Sequence, residues 1–348
     1  MRLSPAREPA MPRFLAALAL LAAPAVAQAQ EAPVLVYLLA GQSNMVGHAK
    51  VSVMDYQATQ PATRELWAPF RHGSAWVERD DVFVKFLDRK GKLTVGFGAP
   101  KCIGPELGFG QVLGDRYPQP VLLIKAAWGG RSLYRDFRPP SAGLPPREAL
   151  DKMLADLKKR KADATEDDVK APFGASYRAM LDEYRNTMKD LGTHFPTLAG
   201  RKTELAGFVW FQGWNDMISA EATAEYAANL SHLIRDVRKD LGDAKLPVVV
   251  GEMGVDGDKA NDGVKRFKAA QQAGTNRDVF RGNAVLVKTD VHWDTEADAI
   301  YRKGWRENLE AWNRVGSDFP YHYLGSPRTL LGVGRSLGEA AVALRERK

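Results

Sequence analysis

The stretch Leu38-Leu39-Ala40-Gly41-Gln42-Ser43-Asn44-Met45 closes an apolar run that begins at Val34 and gives way abruptly to glycine, amide and hydroxyl groups. A continuous apolar run of this kind reads as a buried strand. In an open α/β sheet the groups just beyond the carboxyl end of a strand line the crevice where ligands bind, so Ser43 is carried to such a crevice. Gly41 lets the backbone turn sharply and expose the hydroxyl. Two readings of Ser43 follow: a nucleophile, if a histidine reaches it, or a helix N-cap after the strand.

Outward from that stretch the pattern repeats. Val121-Leu122-Leu123-Ile124-Lys125 runs into Ala126-Ala127-Trp128-Gly129-Gly130-Arg131, and Gly207-Phe208-Val209-Trp210-Phe211 runs into Gln212-Gly213-Trp214-Asn215-Asp216. Val248 to Gly251 and Ala284 to Lys288 read as further strands. Between and after them, helical periodicity marks about 104–113, 147–161, 177–191, 222–241, 263–273 and 327–344. Strands alternating with helices imply right-handed crossovers and a parallel sheet covered on both faces, an α/β fold. The stretches at about 48–98 and 134–175 read as loop insertions, the first with room for a small hairpin.

Of 348 residues, 45% are hydrophobic and 26% charged, as in a globular protein with a sizeable core. Residues 1–29 read as a secretory signal peptide: Arg2, Arg7 and Arg13 precede an apolar stretch too short to span a bilayer, and Ala27-Gln28-Ala29 offers a cleavage site. Residues 30–348 are then a single domain, secreted or periplasmic, without a membrane span. The lone Cys102 excludes an intramolecular disulfide and a cysteine-rich metal site. A net charge of +7, spread without a basic tract, gives no footing for nucleic acid as partner. Neither a phosphate-binding loop nor a dinucleotide fingerprint is present.

Three strand ends thus carry Ser43, the Gly129-Gly130 pair and Gly213 with Asn215. Ester hydrolysis needs a nucleophile, a base and donors for the oxyanion. Two histidines follow strand or loop segments from which a base could act: His292 in Asp290-Val291-His292-Trp293, and His322 in Asp318-Phe319-Pro320-Tyr321-His322-Tyr323. His48, His72, His194 and His232 read as surface or packing residues. Arg131, Asp136 and Arg138 read either as sugar contacts or as loop salt bridges, and Tyr134, Trp76 and Trp214 as stacking platforms or core.

The blocks Gly41-Gln42-Ser43-Asn44-Met45, Trp128-Gly129-Gly130 and Trp210-Phe211-Gln212-Gly213-Trp214-Asn215-Asp216 resemble those of the SGNH hydrolase superfamily. Within it the chain is most similar to the sialate O-acetylesterase and acetylxylan esterase branch of carbohydrate esterases. The resemblance implies a three-layer, flavodoxin-like fold with a central parallel sheet, and a serine esterase that removes O-acetyl groups from a sugar without metal or organic cofactor. It implies Ser43 as nucleophile, and an oxyanion hole from the N–H groups of Ser43 and of Gly129 or Gly130 together with the Asn215 amide. The base it implies is His322, oriented by Asp318, with His292 and Asp290 as the alternative pair. In that branch an aspartate commonly stands three residues before the histidine. Here Asp318 stands four before His322 and Asp290 two before His292. The branch also often has Glu where this chain has Trp214, which bears on substrate contacts. Other acyl esterases and an inactive carbohydrate-binding protein are the competing expectations.

Overall fold

In the computed structural model, which describes residues 31–347 besides Met1, residues 32–348 form one compact unit. The segment read as a signal peptide lies outside the described residues.

Seven strands make the central sheet: β1 Val34–Gly41, β2 Arg79–Phe86, β3 Arg89–Leu93, β4 Val121–Ala127, β5 Thr203–Phe211, β6 Val248–Gly251 and β7 Ala284–Val287. Their spatial order is β7-β6-β5-β1-β4-β2-β3. All neighbours pair parallel except β2 with β3. The five strands legible as apolar runs are β1, β4, β5, β6 and β7, and they follow the flavodoxin-like order, with the switch between β1 and β5.

The stretch at 48–98 is more than a looped insertion. It supplies β2 and β3, and β2 extends the sheet parallel to β4. Its sequence hides this because Arg79, Asp80 and Asp81 open β2 with charge, so only Val82 to Phe86 carries the apolar signal. Around it lie two short ribbons, Ala49–Lys50 with Cys102–Ile103 and Arg71–His72 with Ala75–Trp76.

Strand side chains alternate between faces, so adjacent residues on β5 report on the two layers. Trp210 lends its indole N–H to Tyr226 on the helix Ala220–Asp240, which packs on Asp262–Thr275. Phe211 points the other way and meets Tyr323 at 5.7 Å between ring centroids, just ahead of the helix Pro327–Arg345. That last helix packs along Glu106–Arg116. Helices therefore cover both faces, and β1, with all eight residues buried, lies at the centre of the core.

Candidate active site

Register brings the three motifs together. Gly41 stands level with Ala127 on one side and with Phe211 on the other. Two residues past those positions the chain has reached Ser43, Gly129 and Gly213. Gly41 has no alternative residue, because a Cβ there would lie 2.1 Å from the Phe211 carbonyl oxygen. Ser43 is buried at the start of the short helix Ser43–Val46. A Cβ on Gly129 would sit 4.0 Å from the Ser43 Cβ, whereas Gly130, at φ +71°, points into open space. Of the two glycines, Gly129 is the one beside the serine.

The β5 end is bound to the β1 end through amides. Gln42 Oε1 accepts from the backbone N–H of Gly213 (3.2 Å) and of Asn215 (3.3 Å), and the Gln212 amide nitrogen lies 3.1 Å from it. Gln212 also donates to the Arg131 carbonyl (3.0 Å) and to Asp216 (2.5 Å), and Tyr226 donates to its side-chain oxygen (3.0 Å). Asp216, wholly buried, accepts the N–H groups of Leu133 and Tyr134, both at 2.8 Å. Burial pushes its pKa up to about 7, against the three donors that pull it down. The network fixes the glycine loop relative to Asn215, and Gln42, Gln212 and Asp216 are positioning groups that motif matching left without a role.

A second support runs beneath the serine helix. Lys125, the one charged residue of β4, is fully buried and donates to the Val46 carbonyl (2.8 Å), the Phe97 carbonyl (2.9 Å) and Glu106 (2.6 Å). Glu106 accepts the Gly104 N–H with its other oxygen (2.9 Å). Every donor of the ammonium is used, as a buried ion pair requires.

His322 lies on the turn Pro320–Gly325, which packs against the helix Ser43–Val46. Its Nδ1 is 3.2 Å from Asp318 Oδ2. The spacing of four residues works because Pro320 starts a tight turn, closed by the Ser317 and Asp318 N–H groups on the Leu324 carbonyl. Tyr323 (φ +53°) and Leu324 (φ +61°) take left-handed backbone that costs a non-glycine residue on the order of 1–3 kcal/mol each. Burial of Tyr323 holds them there, with its hydroxyl accepting the Gly254 N–H at 2.8 Å. Gly325 is needed at the close of the turn, since a Cβ would come within 2.7 Å of the Asp318 nitrogen.

His48, read from sequence as surface or packing, joins this pair. Its Nδ1 is 3.3 Å from the same Asp318 oxygen, and its ring stacks on His322 with centroids 4.0 Å apart and planes at 10°. Ser317 ties the two segments, its Oγ accepting the Lys50 N–H (3.1 Å) and donating to the Gly325 carbonyl (2.9 Å). Asp318 Oδ1 accepts the Phe319 N–H (2.7 Å), leaving Oδ2 to the imidazoles. Burial alone would raise the Asp318 pKa, but the two histidines and that N–H outweigh it and hold the carboxyl well below its usual range. The buried His322 Nδ1 lies beside Oδ2 without an aligned hydrogen bond to it. No local spacing signals His48; only the 317–325 turn brings it in.

Among the described residues, His48, Asp318 and His322 are also the one group whose ligand atoms converge as a metal site would need, all within 4.8 Å. Imidazole binds a cation in the plane of its ring, and two rings stacked at 10° cannot both do so. The set fits proton chemistry better than coordination.

The other histidine is placed differently. His292 Nε2 shares a hydrogen bond with Ser336 Oγ (2.8 Å) on the last helix, and burial lowers its pKa. Asp290 is paired with Lys268, which also reaches Glu252 (3.0 Å), so it is engaged by a cation rather than by His292. Asp136 and Arg138 are buried salt-bridge and turn residues: Asp136 accepts Ser132 and Arg131, and Arg138 holds the Tyr134 carbonyl (2.9 Å) and Glu225 (2.9 Å). Trp76 donates to Asp55 (3.0 Å).

Comparison with known proteins gives one family and several similar solved structures. The family model described as carbohydrate esterase, sialic acid-specific acetylesterase, matches residues 33–303, a span that ends before Asp318 and His322. No curated protein sequence matches the chain. A solved protein from Arabidopsis thaliana superimposes with a TM-score of 0.52 at 16% identity, covering 89% of this chain and 98% of that one. A structure from Xanthomonas citri titled as a novel carbohydrate acetylesterase gives 0.48 at 14% identity, over 90% of this chain and 57% of its own. The structure titled NanS gives 0.41 at 15%, over 74% and 78%.

Proposed function

The chain belongs to the carbohydrate esterase family of sialic acid-specific acetylesterases, and from that premise we propose that it is a serine O-acetylesterase working through an acyl-enzyme. The observation that carries the proposal is the Asp318–His322 pair on a turn packed against the helix that begins with Ser43. With Nδ1 beside Asp318 at 3.2 Å, Nε2 is the His322 nitrogen that would serve the Ser43 hydroxyl.

Ser43 Oγ attacks the acetyl carbonyl as His322 takes its proton, and Asp318 stabilises the imidazolium that forms. The carbonyl oxygen, now negative, is received by the N–H groups of Ser43 and Gly129 and by the Asn215 side-chain amide. Collapse expels the sugar hydroxyl, which regains the proton from His322. Water, deprotonated by the same base, attacks the acetyl carbonyl, and collapse breaks its bond to Ser43 Oγ, which regains the proton from His322 as acetate leaves. Every proton and electron pair is accommodated by side chains already present. We further propose export, with residues 1–29 removed; the amino-terminal sequence of the mature protein tests this.

The deciding experiment is acetate release from O-acetylated sialic acid and from p-nitrophenyl acetate, comparing the protein with Ser43→Ala. Loss of the nucleophile should lower kcat by about 10⁴-fold or more while circular dichroism stays unchanged. Equal rates in the two folded proteins would remove Ser43 from the mechanism.

A further inference from the structure

Four aromatic rings run in succession past His322, which touches the second of them. Trp214 meets Tyr321 at 5.6 Å between centroids, Tyr321 stacks on Phe319 at 5.3 Å and 11°, and Phe319 meets Trp305 at 6.4 Å. The inner end is continuous with the site. The Tyr321 ring lies 4.5 Å from that of His322, and Trp214 precedes Asn215 on the same short helix. Phe319 is 38% exposed, and Trp214, Tyr321 and Trp305 each keep part of their surface in solvent. The large aromatics of the core, such as Trp67, Trp210 and Tyr37, are wholly buried.

We propose that this row is a glycan-binding subsite, and that the substrate is an O-acetylated oligosaccharide or polysaccharide whose neighbouring sugar units lie along it. The inference rests on the esterase reading above and extends it from the acetyl group to the chain that carries it. Contiguous exposed apolar surface commonly marks a binding site, and sugar-binding sites combine aromatic faces with a few polar groups that fix orientation. A pyranose offers an apolar face of C–H groups that lies flat on such a ring, while its hydroxyls stay at the edges in water. The steps between rings are comparable with the length of one sugar unit. At the outer end the Arg306 guanidinium covers Trp305 at 4.7 Å from the ring centroid, supplying donors for hydroxyl or carboxylate groups. Trp214 stands where the resembled esterases often carry Glu, so the inner end of the row exchanges a charge for a stacking surface.

The test uses two measurements on the full chain. The first follows kcat/KM for acetate release from acetylated xylo-oligosaccharides and acetylated oligosialic acid of one to five units, beside p-nitrophenyl acetate. We expect a rise of roughly tenfold or more with length in one series, carried by KM. Trp305→Ala and Phe319→Leu should flatten that rise. The second titrates unacetylated oligosaccharides of both kinds into Ser43→Ala and follows tryptophan fluorescence, which reads the subsite without turnover. Length-dependent binding that Trp305→Ala removes supports the inference even if no ester is cleaved. Hydrolysis of p-nitrophenyl acetate with no dependence on length in either series, together with no fluorescence response, overturns the subsite and leaves the esterase standing.

Discussion

The two halves of the site are built on different principles. On the β5 side, Gln42, Gln212 and Asp216 knit strand ends together through buried amide and carboxylate bonds, with most distances between 2.5 and 3.3 Å. On the side of the proposed base, Asp318 and His322 sit on a turn with left-handed backbone at Tyr323 and Leu324, held by packing and by a second imidazole. The first half resembles a frame and the second a sprung catch. Oxyanion donors gain from being fixed before reaction, since fixed dipoles need no reorganisation. A base that accepts and returns a proton twice in each cycle needs a partner that follows its charge.

The comparison can be broken most strongly at Asp318. Asp318→Asn should keep the turn and lower kcat by about 10³- to 10⁴-fold, as in other triads where the orienting acid is neutralised; a drop under tenfold would mean His322 is oriented without it. On the frame side Asn215→Ala should cost about 10²- to 10³-fold in kcat with KM little changed. An equal rise in KM would make Asn215 a ground-state contact.

Asp216→Asn probes the frame by stability. Its amide would confront the N–H groups of Leu133 and Tyr134, at about 2–4 kcal/mol. The wild-type carboxyl titrates near 7 when folded, above the unfolded value of 3.8. Its contribution is therefore complete below pH 4 and lost as pH rises through 7, about 1.4 kcal/mol per unit at most. Urea unfolding at pH 5 and 7.5 should show that decline in the wild type and its absence in the variant. Asp318 acts oppositely, since its pKa is lowered and its contribution fades only as pH falls below the ordinary carboxylate range. The smallest effect is expected at His48. His48→Phe keeps a ring on His322 but removes one partner of Asp318, and kcat should fall only about three- to tenfold with the fold intact. A loss as large as that of Asp318→Asn would place His48 in the proton path.

The same division explains what the sequence disclosed. The frame was legible because its residues adjoin strand ends, where an apolar run stops and glycine, amide and hydroxyl follow. Gln42 and Asp216 lay within the quoted blocks even though their bonds could not be read. The catch was harder. Asp318 and His322 could be named only as one of two pairs, because a proline turn changes the spacing between them. His48 was invisible, since nothing local distinguishes it from an ordinary surface histidine. β2 was missed for a related reason: a strand whose first three residues are charged shows half of its apolar signature.

The hairpin for which the 48–98 stretch left room proves to extend the central sheet, closing one side of it with Arg89, Lys90 and Lys92 on the outermost strand. An uncapped parallel sheet would offer a row of free backbone donors and acceptors to any extended chain, including another copy of itself. A short margin of charged side chains, with Lys92 paired to Asp80, discourages such growth. The β2–β3 hairpin thus ends this side of a largely parallel sheet in a short antiparallel strand rich in charge, a margin that disfavours edge-to-edge pairing.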